Sequence, residues 1–552
     1  MRPRGGTWMQ QAHRTSPTAP TTGPEPRTEV HDAFTTPAAN GSIVAVLLPF
    51  TMEGPQTLDQ PTRSLAARQL HAELTELREE VAREGAEAFA AWREHIERPP
   101  YLPSAENLAH YLALRRHDLR DVQLGLMPLG LSSLGRCEAR VLPNLDAVLA
   151  ALAALGGVGE ASDDAGDRES FYRGHELLQA ETESVLGPTR PERAVRVMVT
   201  LATEAAHRPQ IARELVAAGM DVARVNCSHD DPDVWAAMAA NVGKASAELG
   251  SPTRICFDLA GPRARVASTT VRFEQRVRRG EALLMTSTPV PVESECPHQL
   301  ECSLPEIVDA LPVGAEVRVN EGRLGAIVER RLPEGLLLRV QAAREKGEHV
   351  RAERGLNFPD SELELSPLRA EDLADLDAVA AAADVLGLSF VQRPGDVRAV
   401  QEALAERGEG DTALMLKIET PLGVRNLPEL IVEGAGRQPL GIMIARGDLA
   451  VEIGHRRLAE IQEELLWLCE AAHVPVIWAT QVLDNLVKKG VEHRGEMTDA
   501  AMAERAECVM LNKGPYAVDA VKLLVALLER MEGHQFKKTS RMRALQTWMT
   551  DT

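Results

Sequence analysis

The chain has 552 residues, 44% of them hydrophobic, and a formal net charge of −20. That length accommodates two to four domains with a large core. The acidic balance excludes non-specific binding to nucleic acid or an anionic membrane, though not a local basic pocket, and aromatics at 3% leave no surface for stacking bases.

Seven cysteines form no CxxC pair. They read as free thiols in a reducing compartment, with metal binding by Cys296 and Cys302 as the weaker alternative. No apolar run is long enough to span a membrane. The run at 43–50 is too short to cross and too far from the start for an ordinary signal peptide. A cytoplasmic enzyme is the expected class.

Along the chain, residues 1–60 are rich in Pro, Thr, Gly and Ala without periodicity and are expected to be disordered. Residues 61–190 read as a helical extension. Its first block carries Glu, Arg, Ala and Leu at mixed spacing, and the charges of 78–93 read as a solvated face. Its second block, 104–155, opens on Ser104-Ala105-Glu106-Asn107 as a cap and stops at Gly156-Gly157. The apolar, turn-rich stretch 124–136 reads as a packed helix junction rather than a recognition loop, and 159–167 as a linker.

From Arg193 the pattern changes. Apolar, β-branched runs recur at 195–201, 222–225, 255–259, 385–390, 413–418, 441–445, 474–479 and 508–511, with amphipathic helices between most of them. Such runs are strands buried on both faces of a parallel sheet. Eight of them alternating with helices predict an α/β fold, a (β/α)8 TIM barrel over 191–262 and 356–535. Residues 263–355 read as short alternating strands with Gly and Pro turns, a small inserted β-barrel. It leaves from the face where barrel active sites lie, so it can act as a lid. Residues 536–552 form a tail, whose basic stretch 536–543 reads as a helix end rather than a nucleic-acid patch.

Polar clusters gather at the strand ends. Glu419 and Asp448 each follow a buried run, and two carboxylates at neighbouring strand ends can hold one hard cation; Mg²⁺ takes only one or two protein carboxylates plus substrate oxygens. Lys417, two residues before Glu419, points to the same strand face. An ammonium and a divalent metal converging on one point stabilise an oxyanion or enolate. Further clusters are Arg224-Val225-Asn226-Cys227-Ser228-His229, the stretch from Asp258 to Arg265, and Thr480-Gln481. A lone carboxylate on a barrel is ordinarily a solvated loop or a salt bridge; five clusters at one end favour a site. His229 reads as a helix-start hydrogen bonder, and His110, His117 and His493, lacking metal spacing, as surface residues.

The stretches AAGMDVARVNCSH, FDLAGPRAR, RGLNFPD, LSFVQRPGDV, KIETPLGVRNLPEL, IMIARGDLAVEI and IWATQVLDNLVKKG stand in the order and spacing of the pyruvate kinase family, which residues 193–535 resemble. The resemblance implies phosphoryl transfer from phosphoenolpyruvate to ADP, giving pyruvate and ATP. It implies that Glu419 and Asp448 hold Mg²⁺, with Mn²⁺ as a substitute, and that Lys417 neutralises charge on the phosphoryl group and the enolate. Arg224 would grip the phosphate, helped by Arg265, with Ser389 at the phosphate-facing edge. The backbone around Arg446, Gly447 and Asp448 suits the substrate carboxylate, and Gly447 permits close approach. Thr480 matches the residue that helps deliver a proton to the enolate carbon through water. A second Mg²⁺ would arrive with the nucleotide.

Asn226, Ser228 and Asp258 match the ligands of a monovalent cation, usually K⁺. Family members that need K⁺ commonly carry Glu where Arg263 stands, and those that do not carry Lys. Arg263 therefore predicts weak or absent K⁺ dependence. The implied partners are phosphoenolpyruvate and ADP or ATP, in a homo-oligomer, with no nucleic acid and no membrane.

Several departures stand out. Leu416 replaces a small residue. Asn512-Lys513-Gly514-Pro515-Tyr516 replaces a longer loop beside the nucleotide, and Asn320-Glu321-Gly322 stands where Asp-Asp-Gly is common. The usual C-terminal regulatory domain has no counterpart, so activation through a sugar-phosphate site there is expected to be absent. Residues 1–190 match nothing in the usual enzyme. Arg494 and Glu496, near the family's subunit contact, read as structural. Two other readings compete. One is a metal-dependent lyase or aldolase acting through a pyruvate enolate, against which the Arg224-Asn226-Ser228 cluster and the lid both count. The other is a non-catalytic phosphoenolpyruvate-binding regulator, motivated by the short loop at Asn512 and opposed by the retained metal and proton-transfer residues.

Overall fold

The computed structural model describes residues 60–158, 168–271, 275–289, 296–359 and 361–540. The segment before Gln60 with its expected disorder and its 43–50 run, the 159–167 linker and the tail beyond 540 lie outside the described residues.

Eight parallel strands close a barrel in the order β1 (Arg196–Thr200), β15 (Cys508–Leu511), β14 (Val476–Ala479), β13 (Leu440–Ala445), β12 (Ala413–Ile418), β11 (Val385–Leu388), β3 (Arg254–Asp258) and β2 (Val222–Asn226). Each coincides with one of the eight apolar runs. Alternation sorts their side chains. Met198, Cys256, Met415, Met443 and Met510 fill the interior, where flexible thioethers suit an irregular space. Val197, Ala223, Phe257, Leu416 and Ile442 face the surrounding helices. Leu416 is thus an outward core residue, away from the mouth.

Five helices precede the barrel: α1 (Gln60–Arg93), α2 (Leu102–Leu114), α3 (Arg120–Leu126), α4 (Val141–Gly156) and α5 (Arg168–Leu186). Leu74, Val81, Leu108, Leu145 and Leu152 bury the face shared by α1, α2 and α4. Gly85 of α1 lets His110 of α2 approach, since a Cβ there would lie 2.2 Å from its ring. His110 is therefore buried rather than at the surface, and burial lowers its pKa. The α4 helix ends at Gly157 with φ 64°, the predicted stop. Ser104, expected as a cap, lies inside α2 and bonds His473 instead. In the 124–136 junction Leu126 and Leu129 are buried, whereas Leu124 and Met127 are exposed.

The extension is fixed to the barrel. Asn107 Nδ2 donates to Ala471 O at 2.8 Å. Arg98 pairs with Glu181 at 2.7 Å, and Glu181 accepts the Leu440 N–H at 2.9 Å. Val185 and Leu186 at the end of α5 join the barrel's interior cluster. Gly441 leaves room for them, since its Cβ would stand 3.3 Å from Val185 Cγ1. The α5 helix thus plugs the floor at the strands' N-terminal ends. The stretch Glu138–Gly156 is apolar and long enough to cross a membrane, yet its Val141, Leu145, Val148 and Leu152 are core residues.

The inserted domain carries β4 (Val266–Thr269), β5 (Ala282–Thr286), β6 (Gln299–Cys302), β7 (Glu316–Val319), β8 (Leu324–Leu332), β9 (Gly335–Ala342) and β10 (Leu356–Asn357), in sheet order β10-β7-β8-β9-β5-β6-β4. Its two edges meet: Leu356 N–H donates to Ala264 O and Val266 N–H to Arg354 O, both at 2.9 Å, around an Arg265–Gly355 bridge. A separate core fills it.

After the last barrel helix the chain forms a hairpin, β16 (Gln535–Phe536) with β17 (Thr539–Ser540), where a helix end was expected. Lys537, at φ 53°, pairs with Glu507, and Lys538 pairs with Glu138. These distant carboxylates override the local helical tendency. All seven cysteines are buried, and none is in a disulfide among the described residues.

Candidate active site at the barrel mouth

The strand ends bring the predicted residues together through β-register. Asn226 stands beside Asp258, and Lys417 beside Met443. Lys417 Nζ is the hub: it donates to Ser389 Oγ at 2.7 Å and lies 3.4 Å from Asp258 Oδ2 and 3.5 Å from Glu419 Oε1. The Ser389 hydroxyl in turn donates to Leu259 O at 2.8 Å. Arg224 holds Asp258 Oδ2 through Nε at 2.8 Å and through Nη2, and its Nη1 donates to Thr200 Oγ1 at 2.8 Å.

Charge tunes these groups. Burial pushes Asp258 up, but Arg224 and Lys417 outweigh it and hold the carboxyl below the usual range. Glu419 goes the other way. Burial raises it, Lys417 opposes, and Asp448 raises it further. Its Oε2 also accepts the Phe390 N–H at 2.6 Å, from a residue at φ 56°. A buried carboxylate raised by burial and by a second carboxylate is one that a bound cation would stabilise in its charged form. Among the described residues no three His, Cys, Asp or Glu side chains form a metal cluster. The donor set is therefore two carboxylates, which suits a hard cation that keeps water and substrate oxygens in its shell. Glu419 and Asp448 fit Mg²⁺ on that ground.

Asp448 lies in the first turn of the helix Arg446–Ile453. Arg263 Nη2 sits 2.8 Å from its Oδ1. Arg265, beside Arg263, has its pKa lowered by burial and then by that neighbour, and stands 3.7 Å from Glu353. Of the expected monovalent-cation ligands, Asn226 Oδ1 accepts the Ser228 N–H at 3.2 Å. Asp258 Oδ1 is buried with no hydrogen-bond partner among the described residues. That orphan acceptor is the feature a cation would satisfy.

The Arg446 side chain turns away from the mouth. It donates to Ala479 O at 2.9 Å and Thr480 O at 2.7 Å, pairs with Asp499 at 2.5 and 2.8 Å, and lies 4.5 Å from the Trp478 ring centroid. It thereby braces Thr480, which with Gln481 adopts positive φ of 66° and 59°. The Gly447 N–H donates to Thr480 Oγ1 at 2.8 Å, so the helix start and the Thr480 hydroxyl form one unit. His229 does not cap the next helix; Asp231 does, accepting the Val234 N–H. Burial, then Lys513 and Arg265, lower the His229 pKa. Glu496 accepts the Asn485 N–H and Nδ2, the latter at 2.6 Å, a structural role.

Sequence reasoning missed Asp499, Thr200 and the Phe390 amide. Asp499 carries no local signal, because its partner Arg446 lies 53 positions away.

Residues 192–521 match the family model of the pyruvate kinase barrel domain. The chain is 30% identical over 371 residues to the pyruvate kinase PKLR of Homo sapiens, covering 64% of this chain and 62% of that one. It is 31% identical to the pyruvate kinase of Methylorubrum extorquens, covering 62% of this chain and 69% of the relative. For the pyruvate kinase of Geobacillus stearothermophilus the identity is 30%, with 61% and 57% covered. The chain thus spans about three fifths of the length of the first and last of these relatives. With the family match running through all eight barrel strands and the inserted domain, and over more than half of the residues, the chain belongs to the pyruvate kinase family.

Proposed function

We propose that the protein transfers the phosphoryl group of phosphoenolpyruvate to ADP. The bond between phosphorus and the enol oxygen breaks, a bond to the terminal oxygen of ADP forms, and the enolate left behind takes a proton at carbon to become pyruvate. The observation that carries this reading is Lys417, whose ammonium is held by Ser389, Asp258 and Glu419 at the mouth. Held there, it faces negative charge on both the moving phosphoryl group and the enolate. Arg224, fixed by Asp258 and Thr200, orients the phosphate, with Arg265 beside it. The substrate carboxylate would be received at the start of the helix Arg446–Ile453, at the Asp448 amide beside the Gly447 N–H that Thr480 Oγ1 takes, and Thr480 would position the water that protonates carbon. Mg²⁺ on Glu419 and Asp448 would polarise substrate oxygens. Arg263 supplies a fixed positive charge in place of the K⁺ that some members of the family need. We place the reaction in the cytoplasm and in a homo-oligomer.

The test is a coupled assay for pyruvate formation with phosphoenolpyruvate, ADP and Mg²⁺. Wild-type protein should turn over only with ADP present. Lys417→Ala and Glu419→Ala should each lose on the order of 10²–10³ in kcat, the loss typical of removing an electrostatic stabiliser. Well-folded wild type without ADP-dependent turnover would sink the reading; enolate chemistry without ADP would point to the lyase.

A further inference from the structure

The inserted domain joins the barrel by two stems, residues 263–266 and 353–358, and both land on the helix Arg446–Ile453. The incoming stem reaches it through Arg263, 2.8 Å from Asp448 Oδ1. The outgoing stem reaches it through Asn357, whose Nδ2 donates to Glu452 Oε1 at 2.9 Å. Beside them Arg318, the β7 partner of Asn357, donates to the Val451 carbonyl.

Asp448 and Glu452 are four residues apart, so they share one helix face. One carboxylate meets each stem. Burial pushes Glu452 up to about 7, and Asn357 opposes the rise. Helix formation does not require a half-hidden carboxylate to take a side-chain donor from another domain.

We propose that Glu452 is a positioning residue: by gripping Asn357 it fixes the angle of the inserted domain and, through one helical turn, the placement of Asp448. The inference rests on Asp448 serving the divalent cation as proposed above. A cation taken up by Asp448 competes with Arg263 for its oxygen. Glu452 then remains as the pivot on which the domain turns.

Three variants of the full chain test this: Glu452→Leu, Glu452→Gln and Asn357→Ala. Two measurements are made without substrate: amide hydrogen exchange across 353–358, and Mn²⁺ titration followed by its spin-resonance signal. Glu452→Leu and Asn357→Ala should each speed exchange at the stem and weaken Mn²⁺ binding by about tenfold, the worth of one hydrogen bond to a charged group. Combining them should add nothing. Glu452→Gln, which keeps an acceptor at Oε1, should restore both readouts, and kcat at saturating Mg²⁺ should survive throughout. Wild-type exchange and Mn²⁺ affinity in Glu452→Leu would overturn the proposal, as would a failure of Glu452→Gln to rescue. Should Glu452→Leu not fold, Asn357→Ala carries the same comparison from the lid side. A wild type that makes no pyruvate overturns the reaction instead, and the exchange and Mn²⁺ arms then decide alone whether Glu452 fixes the stem.

Discussion

The two ends of the barrel handle their buried carboxylates in opposite ways. At the floor, Asp221 is fully used. It takes Arg190 at 2.5 Å, Arg193 at 2.7 Å and the Val197 N–H at 2.8 Å. Arg196 is likewise engaged, donating to Gly187 O at 2.9 Å and to Thr189 at 2.8 Å. At the mouth, Asp258 keeps one oxygen without a hydrogen-bond partner among the described residues, Glu419 is pushed up by burial and by a neighbouring carboxylate, and Thr480 holds a left-handed backbone. A carboxylate with both oxygens taken stabilises a fold; one with an oxygen to spare is free to meet a ligand. The floor is built for stability and the mouth for chemistry, although both are made from strand ends of the same sheet.

The sharpest way to break that comparison is a pair of substitutions. Lys417→Ala at the mouth should remove on the order of 10²–10³ in kcat while lowering stability less than a floor substitution does, because Arg224 still holds Asp258. Asp221→Ala at the floor should do the reverse. It strands Arg193, only 2% exposed, and breaking a buried pair from one side costs about 3–5 kcal/mol. Denaturant unfolding and kcat measured on the same samples separate the two. A Lys417→Ala variant that unfolds as readily as Asp221→Ala would erase the distinction.

A smaller effect tests the contact between the helical extension and the barrel. His473 is buried, with Nε2 3.0 Å from Ala139 O and Nδ1 2.9 Å from Ser104 Oγ. Since a carbonyl only accepts, Nε2 carries the proton and the ring is neutral. Burial lowers its pKa to about 4, below the value of about 6.5 expected in the unfolded chain. The unfolded state therefore binds the proton more readily. The stability contributed by neutral His473 is complete above pH 6.5 and drains away as pH falls towards 4, by on the order of 2–3 kcal/mol. Urea unfolding of wild type and His473→Asn between pH 4 and 7 should show a steeper acid loss in wild type. Parallel curves would mean that the ring titrates normally.

How much of this was legible in the sequence follows from the range of each signal. The eight strands were, because each is a short apolar run bounded by turns, and a strand's burial on both faces is written in consecutive residues. Lys417 and Glu419 were, because a period of two puts them on one face. Asp499 was not: only the fold brings it to Arg446. The plug was not, because the sequence of α5 predicts a helix without saying that Val185 and Leu186 end beneath the barrel. The hairpin at Lys537 was misread as a helix end, since Glu507 and Glu138, which draw its lysines in, lie far off in the chain. Glu452 passed unremarked beside the more visible Asp448.

The smallest effect concerns the monovalent cation. Two features of the mouth pull in different directions. Arg263 already places a guanidinium 2.8 Å from Asp448, so positive charge is present without any ion. Asp258 Oδ1, buried and unpartnered, is an acceptor that an ion beside Asn226 would satisfy. Arg224 and Lys417 already hold the other oxygen of Asp258, and that carboxyl below the usual range. An added monovalent cation therefore meets a carboxylate whose charge is largely balanced. Replacing tetramethylammonium by K⁺ at constant ionic strength should change kcat less than about twofold, under ~0.5 kcal/mol of transition-state energy. A tenfold activation would mean that the orphan oxygen outweighs the guanidinium, and that Arg263 serves the Asp448 stem alone.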